Sequence, residues 1–270
     1  MEKLIITAAL TGNVPTKEKN PHLPVTPDEI AADARRCCDA GATVFHLHAR
    51  DAEGNPTLSK EVYADIFKRV RETVPEAVIQ LSTGARAGRD WEDRAAPVRL
   101  LPDMASFTTG SNNMPDRVYE NAPQFIEYLA NVFRETRVKP EIEVFEAGMI
   151  SNALYLRNKG LLSDPLHFNF VMGVPGSQPG QVRHLAFLAD GIPAGSTWTV
   201  SGIGRTQIPM AAAGIVMGGH VRVGLEDSML LPDGSLAANP RLVEKVAAIA
   251  GEIGRDIANA SEARRILSLA

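Results

Sequence analysis

The chain is predicted to fold as a single (β/α)8 TIM barrel of the α/β class, and three observations predict it. Short β-branched or apolar runs recur eight times within 270 residues, each separated from the next by room for a helix. Polar residues crowd the C-terminal halves of those runs and thin out in the N-terminal halves, the asymmetry expected of a barrel whose chemistry sits at one rim. No composition shift, Pro/Ser-rich linker or internal repeat divides the chain, so residues 1–270 are expected to form one barrel with its active site at the C-terminal rim of the strands.

Taken in order, the strands are expected at residues 3–10, 43–50, 77–84, 104–110, 141–148, 167–173, 197–204 and 220–227. Helical periodicity fills segments such as 29–40, 60–73, 120–136, 181–189 and 208–217. The first helix carries a clear start signal. Thr26 is placed as N-cap, Pro27 at the first helical position and Glu29 at the capping-box position, while Gly41 supplies the stop. The competing architecture is an open doubly wound sheet. It is disfavoured because Ala8-Ala9-Leu10-Thr11-Gly12-Asn13 lacks the second and third glycines of a dinucleotide fingerprint.

A net charge of −4 argues against a nucleic-acid footprint or an anionic membrane partner. No apolar run approaches the ~20 residues that cross a bilayer, and the opening segment lacks the layout of a secretory signal, so a cytoplasmic location is expected. Cys37 and Cys38 are adjacent within a helical pattern and are expected to stay reduced.

The strand ends place Thr11, Asn13, His46, His48, Arg50, Ser82, Thr83, Ser106, Thr108, Thr109, Glu143, Glu146, Asn169, Ser201, Arg222, Glu226 and Asp227 at the rim. In a strand alternate side chains share a face, so His46 and His48 point one way and Phe45 and Leu47 the other. In the last run, Arg222, Gly224 and Glu226 share parity. Strand eight closes beside strand one, which neighbours strand two, so Glu226 can approach both imidazoles. Two imidazoles and one carboxylate make a three-ligand site with a position left open. The set suits Zn²⁺, although Fe, Mn and Co accept it too. His220 and His167 open their strands and read as structural, His22 lies in a loop, and His184 belongs to a helix.

His46-Leu-His-Ala-Arg50, Ser82-Thr-Gly84, Pro140-Glu-Ile-Glu-Val-Phe-Glu-Ala-Gly148 and Gly218-Gly-His-Val-Arg-Val-Gly-Leu-Glu-Asp227 together resemble the β-keto acid cleavage enzymes, and Thr7-Ala-Ala-Leu-Thr-Gly12 and Leu23-Pro-Val-Thr-Pro27 are similar in style. The founding activity of that family is 3-keto-5-aminohexanoate cleavage. The resemblance implies a (β/α)8 barrel with one Zn²⁺, assembled as a homo-oligomer (dimer or tetramer). The reaction it implies condenses a β-keto acid with acetyl-CoA and cleaves the product to acetoacetate and a new acyl-CoA. It makes His46, His48 and Glu226 the ligands and Asp227 the general base, with Arg222 as an electrostatic partner that keeps the Asp227 pKa low. Ser82, Thr83, Gly84 and Ser106 fall where the substrate carboxylate and keto groups are held, and Glu143 where an acidic residue lies near the metal.

One departure bears on specificity. The amino-hexanoate enzymes carry a glutamate in the loop after strand one to receive the substrate ammonium, and that place is held here by Val14, beside Asn13. An unpaired buried ammonium costs several kcal/mol, so a β-keto acid without an amino group is expected as substrate. Arg86, Arg89, Arg94 and Arg205 are candidates to meet CoA phosphates. The rival activities are a metal hydrolase of the amidohydrolase type and a CoA-linked lyase or aldolase. A barrel kept only as a binding protein is the non-enzymatic alternative.

Overall fold

The computed structural model describes residues 1–84, 86 and 88–269. Eight parallel strands close into a barrel: β1 (Ile6–Ala9), β2 (Val44–Leu47), β3 (Val78–Leu81), β4 (Met104–Thr108), β5 (Lys139–Val144), β6 (His167–Met172), β7 (Thr197–Gly202) and β8 (His220–Val223). Each strand pairs with its neighbours in sequence, and β8 returns to β1. The predicted fold class is therefore borne out.

The helices follow from local signals where those are strong. In α1 (Pro27–Asp39), Thr26 accepts from the Glu29 backbone and Glu29 reaches back to the cap, the expected capping box, and Gly41 follows at φ +114°. The predicted helices at 60–73, 181–189 and 208–217 appear as α2 (Lys60–Thr73), α6 (Val182–Asp190) and α7 (Gln207–Met217). Between α2 and α6 lie α3 (Trp91–Ala95), α4 (Pro123–Thr136) and α5 (Gly148–Asn158), and the chain ends in α8 (Asn239–Glu252) and α9 (Ala260–Ile266). The expected helix at 120–136 begins later, at Pro123, because residues Arg117–Tyr119 pair with Asn112–Met114 as a hairpin over the barrel mouth.

Phe45, Leu47, Ile79, Leu81, Phe107 and Ile142 point outward into the main apolar layer beneath the helices. Burying each such side chain stabilises by ~1.5–3 kcal/mol. At the N-terminal end Ile5, Val44, Val78 and Met104 meet Ala263 and Leu267 of the C-terminal segment, which floors the barrel with apolar atoms. Above that floor the interior turns polar. Gln80, Ser106, Glu141, Asn169, Thr199, Ser201 and Arg222 are all buried. A barrel filled by branched aliphatics would be inert; this one is built to hold charge.

Candidate active site

One strand, the residue just past its end and one turn carry the cluster at the barrel mouth: His46 lies in β2, His48 one residue beyond it, and Glu226 after β8. Ala9 of β1 pairs with His46 of β2, and the Ala9 carbonyl also accepts the backbone N–H of Glu226, 3.2 Å away. The structure corrects one expectation here. Glu226 and Asp227 do not continue the last strand, which ends at Val223; they stand on a turn that starts at Gly224. Gly224 has φ +155°, and a Cβ on it would lie 2.0 Å from the Ala9 oxygen, so the chain must leave the sheet at a residue without a side chain. Across the mouth Gly12, at φ +58°, makes room in the same way, since a Cβ there would meet Glu226 Cγ at 2.5 Å.

The three candidate ligands converge. His46 Nε2 and His48 Nε2 are 3.2 Å apart, and Glu226 Oε1 lies 3.6 Å from the first and 3.2 Å from the second. Ligands ~2.0–2.1 Å from one tetrahedral zinc stand about 3.3 Å from each other, so the three observed edges fit a single ion. Burial chiefly, with Arg222 adding to it, lowers the His46 pKa to about 4, which keeps the imidazole neutral and able to donate a lone pair. The second oxygen of Glu226 is buried and has no hydrogen-bond partner among the described residues. A buried carboxylate oxygen left without a donor is costly unless something cationic meets it.

Arg222 organises the acids. Its Nε and one terminal nitrogen bind Asp227 at 2.9 and 2.8 Å, the same terminal nitrogen reaches Glu226 Oε1 at 2.5 Å, and Glu143 stands 3.8 Å from the other. Glu226 is held well below the ordinary carboxylate range, its burial outweighed by Arg222 and the two imidazoles. Asp227 behaves differently from expectation. Burial raises its pKa to about 6 despite the Arg222 fork, so the arginine orients the carboxylate without making it a weak base. Burial likewise raises Glu143 to about 7, against the pull of Arg222 and a 2.7 Å hydrogen bond from Thr108.

These groups open onto a cavity of about 450 Å³ whose walls include Asn13, Val14, Ser82, Gly84, Tyr119 and Phe145. Ser82 lines the cavity, and its Oγ accepts from the Gly84 amide at 3.2 Å. Thr83 and Ser106 are not on that wall: the Thr83 hydroxyl and amide are both bound to Ser106, at 2.8 and 3.1 Å.

Other rim candidates have structural work. Arg50 folds back in a short pairing of Ala49–Arg50 with Pro56–Thr57 and donates to the carbonyls of Gly12, Pro15 and Gly54, which pins the first loop. Thr11 accepts from the same guanidinium, Thr109 binds the Met149 carbonyl, and Glu146 accepts from Gln178. Asn169 bridges Glu141 and Ser201 below the cluster. His167 pairs with Glu141 at 3.3 Å, and His220 Nδ1 accepts the Ile5 amide. Among the arginines, Arg86 and Arg89 line the cavity, whereas Arg94 is buried against Phe125 with its nitrogens on Thr83, Glu120 and Asn121, and Arg205 stands off the wall. Arg94 is thereby a structural residue.

Two side chains were absent from the sequence-based set. Tyr119, from the mouth hairpin, lies 3.2 Å from Thr108 Oγ1 and so extends the chain to Glu143. Gln80 lies 2.5 Å from His46 Nδ1. A lone tyrosine in a turn-rich segment gives no signal, but a glutamine between the apolar neighbours of a buried strand does.

Comparison with known proteins agrees in kind. The family described as beta-keto acid cleavage enzyme matches residues 3–269. The 3-keto-5-aminohexanoate cleavage enzyme of Fusobacterium nucleatum subsp. nucleatum is 46% identical over 100% of this chain and 99% of that one. The 3-oxoadipate:acetyl-CoA acetyltransferase of Cupriavidus necator is 39% identical over 98% of this chain and 94% of that one. The apo structure of ObcA shares the fold with a TM-score of 0.82 at 23% identity, over 92% of this chain and 66% of that chain.

Proposed function

The chain belongs to the beta-keto acid cleavage enzymes, and on that footing we propose that it is an acyltransferase that condenses a β-keto acid with acetyl-CoA and returns acetoacetate and a new acyl-CoA. The observation that carries this reading is the juxtaposition of Asp227, clamped by Arg222, with the His46, His48 and Glu226 cluster on one wall of the cavity. We assign His46, His48 and Glu226 as the ligands of a divalent cation, Zn²⁺ by the nature of the donors. Such a cation supplies Lewis-acid stabilisation of the negative charge that develops on a keto oxygen.

Asp227 takes the proton from the carbon between the ketone and carboxylate of the substrate. A carboxylate with a pKa of about 6 is mostly ionised at neutral pH and is a stronger base than an ordinary one. The enolate attacks the acetyl thioester carbonyl and CoA leaves as the thiolate. That thiolate adds to the original ketone. The bond between this carbon and its neighbour then breaks, the new thioester is released, and the acetoacetate carbanion recovers the proton from Asp227. Glu143 and Thr108, backed by Tyr119, are assigned to the charge appearing opposite Arg222, and Ser82 with Gly84 to the substrate carboxylate.

We place the specificity difference at Val14. It lines the cavity, and each described carboxylate on that wall already faces an arginine: Glu120 is 3.6 Å from Arg89, and Glu143, Glu226 and Asp227 surround Arg222. A substrate ammonium would find no free acid, so the preferred β-keto acid lacks one. Arg86 and Arg89 at the outer wall suit the CoA phosphates. The reading includes a cytoplasmic enzyme working as a homo-oligomer, in which Tyr155 of α5 and Phe187 of α6, 62% and 61% exposed, would be covered. The test is incubation with acetyl-CoA and a panel of β-keto acids, with acetoacetate read by mass spectrometry. Its appearance with at least one member supports the reading; an inert panel in the presence of bound metal contradicts it.

A further inference from the structure

Gln80 sits on β3 directly beside His46 of β2 in the strand register, with no exposed surface. Its side-chain oxygen is 2.5 Å from His46 Nδ1. A carboxamide oxygen only accepts, so the proton of the neutral imidazole must be on Nδ1. The lone pair is then on Nε2, the atom that faces His48 Nε2 at 3.2 Å and Glu226 at 3.6 Å. The other end of the amide, Gln80 Nε2, is buried without a partner among the described residues. Turning the amide over would let that nitrogen donate to His46 Nδ1. It would also drive the imidazole proton onto Nε2, where it would point at the very atoms that are to share an ion. The two orientations of one amide thus correspond to a ligand and a non-ligand form of His46.

We propose that Gln80 is a positioning residue that locks His46 in its metal-binding tautomer and orients the ring toward His48 and Glu226. The inference rests on the cation assignment made above, and it adds a determinant of affinity outside the three ligands. Partners behind a ligating histidine typically contribute about 10–100-fold in metal affinity.

The experiment measures Zn²⁺ affinity of the full-length protein by competition with a chromophoric chelator, alongside thermal unfolding of the metal-free forms. Gln80→Leu keeps the bulk and removes the acceptor; Gln80→Glu keeps an acceptor that can never donate while ionised. The expected result is a fall of about 10–100-fold in Gln80→Leu and affinity at or above wild type in Gln80→Glu. Wild-type affinity in Gln80→Leu overturns the inference. So does equal loss in both variants with equally lowered unfolding temperatures, because Gln80 would then act through packing alone. If Gln80→Leu fails to fold, Gln80→Glu decides by itself: retained affinity supports the tautomer lock and lost affinity overturns it. Absence of zinc binding in the wild-type protein is a separate outcome, and it overturns the cation assignment together with this inference.

Discussion

Arg222 holds Asp227 through two parallel hydrogen bonds of 2.9 and 2.8 Å while a nitrogen of the same guanidinium touches Glu226. One guanidinium therefore fixes the relation between the carboxylate beside the two imidazoles and the carboxylate assigned as base. The fork uses both Asp227 oxygens in a plane, which leaves lone pairs on the outer edge to take a proton. Burial raises Asp227 while Arg222 both pulls it back and orients it, and removing the assigned base should spare the His46, His48 and Glu226 cluster.

Asp227→Asn should lower turnover by about 10²–10⁴-fold, the usual contribution of a positioned general base, while leaving bound metal at the wild-type ratio. Metal analysis of the purified variant beside steady-state kinetics checks both parts. Loss of metal with the activity would assign Asp227 to the ligand set instead.

Val14→Glu places an acid on the cavity wall where the described carboxylates are already engaged with arginines. Because Val14 is 56% exposed, the new ion pair is screened by solvent, and the variant should gain about 2–5-fold in kcat/KM for an amino-bearing β-keto acid relative to its unsubstituted counterpart. Unchanged selectivity would remove Val14 from the specificity account.

Glu143 gives a pH signature in the metal-free protein. Its pKa is raised in the fold to about 7 from an ordinary 4.5, so the protonated form is favoured by folding. The stability linked to it is fully present below about pH 4.5 and is lost as pH rises through about 7, a change of up to ~3 kcal/mol. Chemical denaturation from pH 4 to 8 should show wild type losing stability relative to Glu143→Gln as pH increases. Parallel profiles would mean that the fold does not raise the Glu143 pKa.

Gly12→Ala tests the cradle around Glu226. The new Cβ would sit 2.5 Å from Glu226 Cγ at a backbone φ of +58°, so strain on the order of 1–3 kcal/mol and weakened metal binding should appear together. A normal metal affinity in Gly12→Ala would show that the loop yields without moving the carboxylate.

What could be read without coordinates was what local rules control. The capping box at Thr26 and Glu29 depends on residues three apart, and the eight strand positions depend on short apolar runs with turn residues between. The convergence of His46 and His48 follows from strand alternation carried one residue past the end of β2. Strand parity brings Glu226 to them only if the last strand runs past Val223, whereas Gly224 turns the chain because the Ala9 carbonyl comes too close for a side chain. That approach is tertiary and leaves no period in the sequence. The pairing of Asn112–Met114 with Arg117–Tyr119 is too short to show alternation, so the mouth hairpin and Tyr119 went unseen. Helix α5 carries a weaker stripe, because its buried Met149, Ile150, Ala153 and Leu156 are interleaved with exposed Tyr155. Arg50 looked like a rim cation, but a guanidinium with carbonyls around it becomes a brace for the first loop.

The most direct measurement follows the acetyl carbons. Acetyl-CoA labelled with ¹³C in both acetyl carbons is incubated with the enzyme and an accepted, unlabelled β-keto acid, and the products are resolved by mass spectrometry. The condensation assigned here predicts acetoacetate heavier by two mass units, labelled in its acetyl half, and a new acyl-CoA without label. Unlabelled acetoacetate, or an acyl-CoA that carries the label, would contradict it.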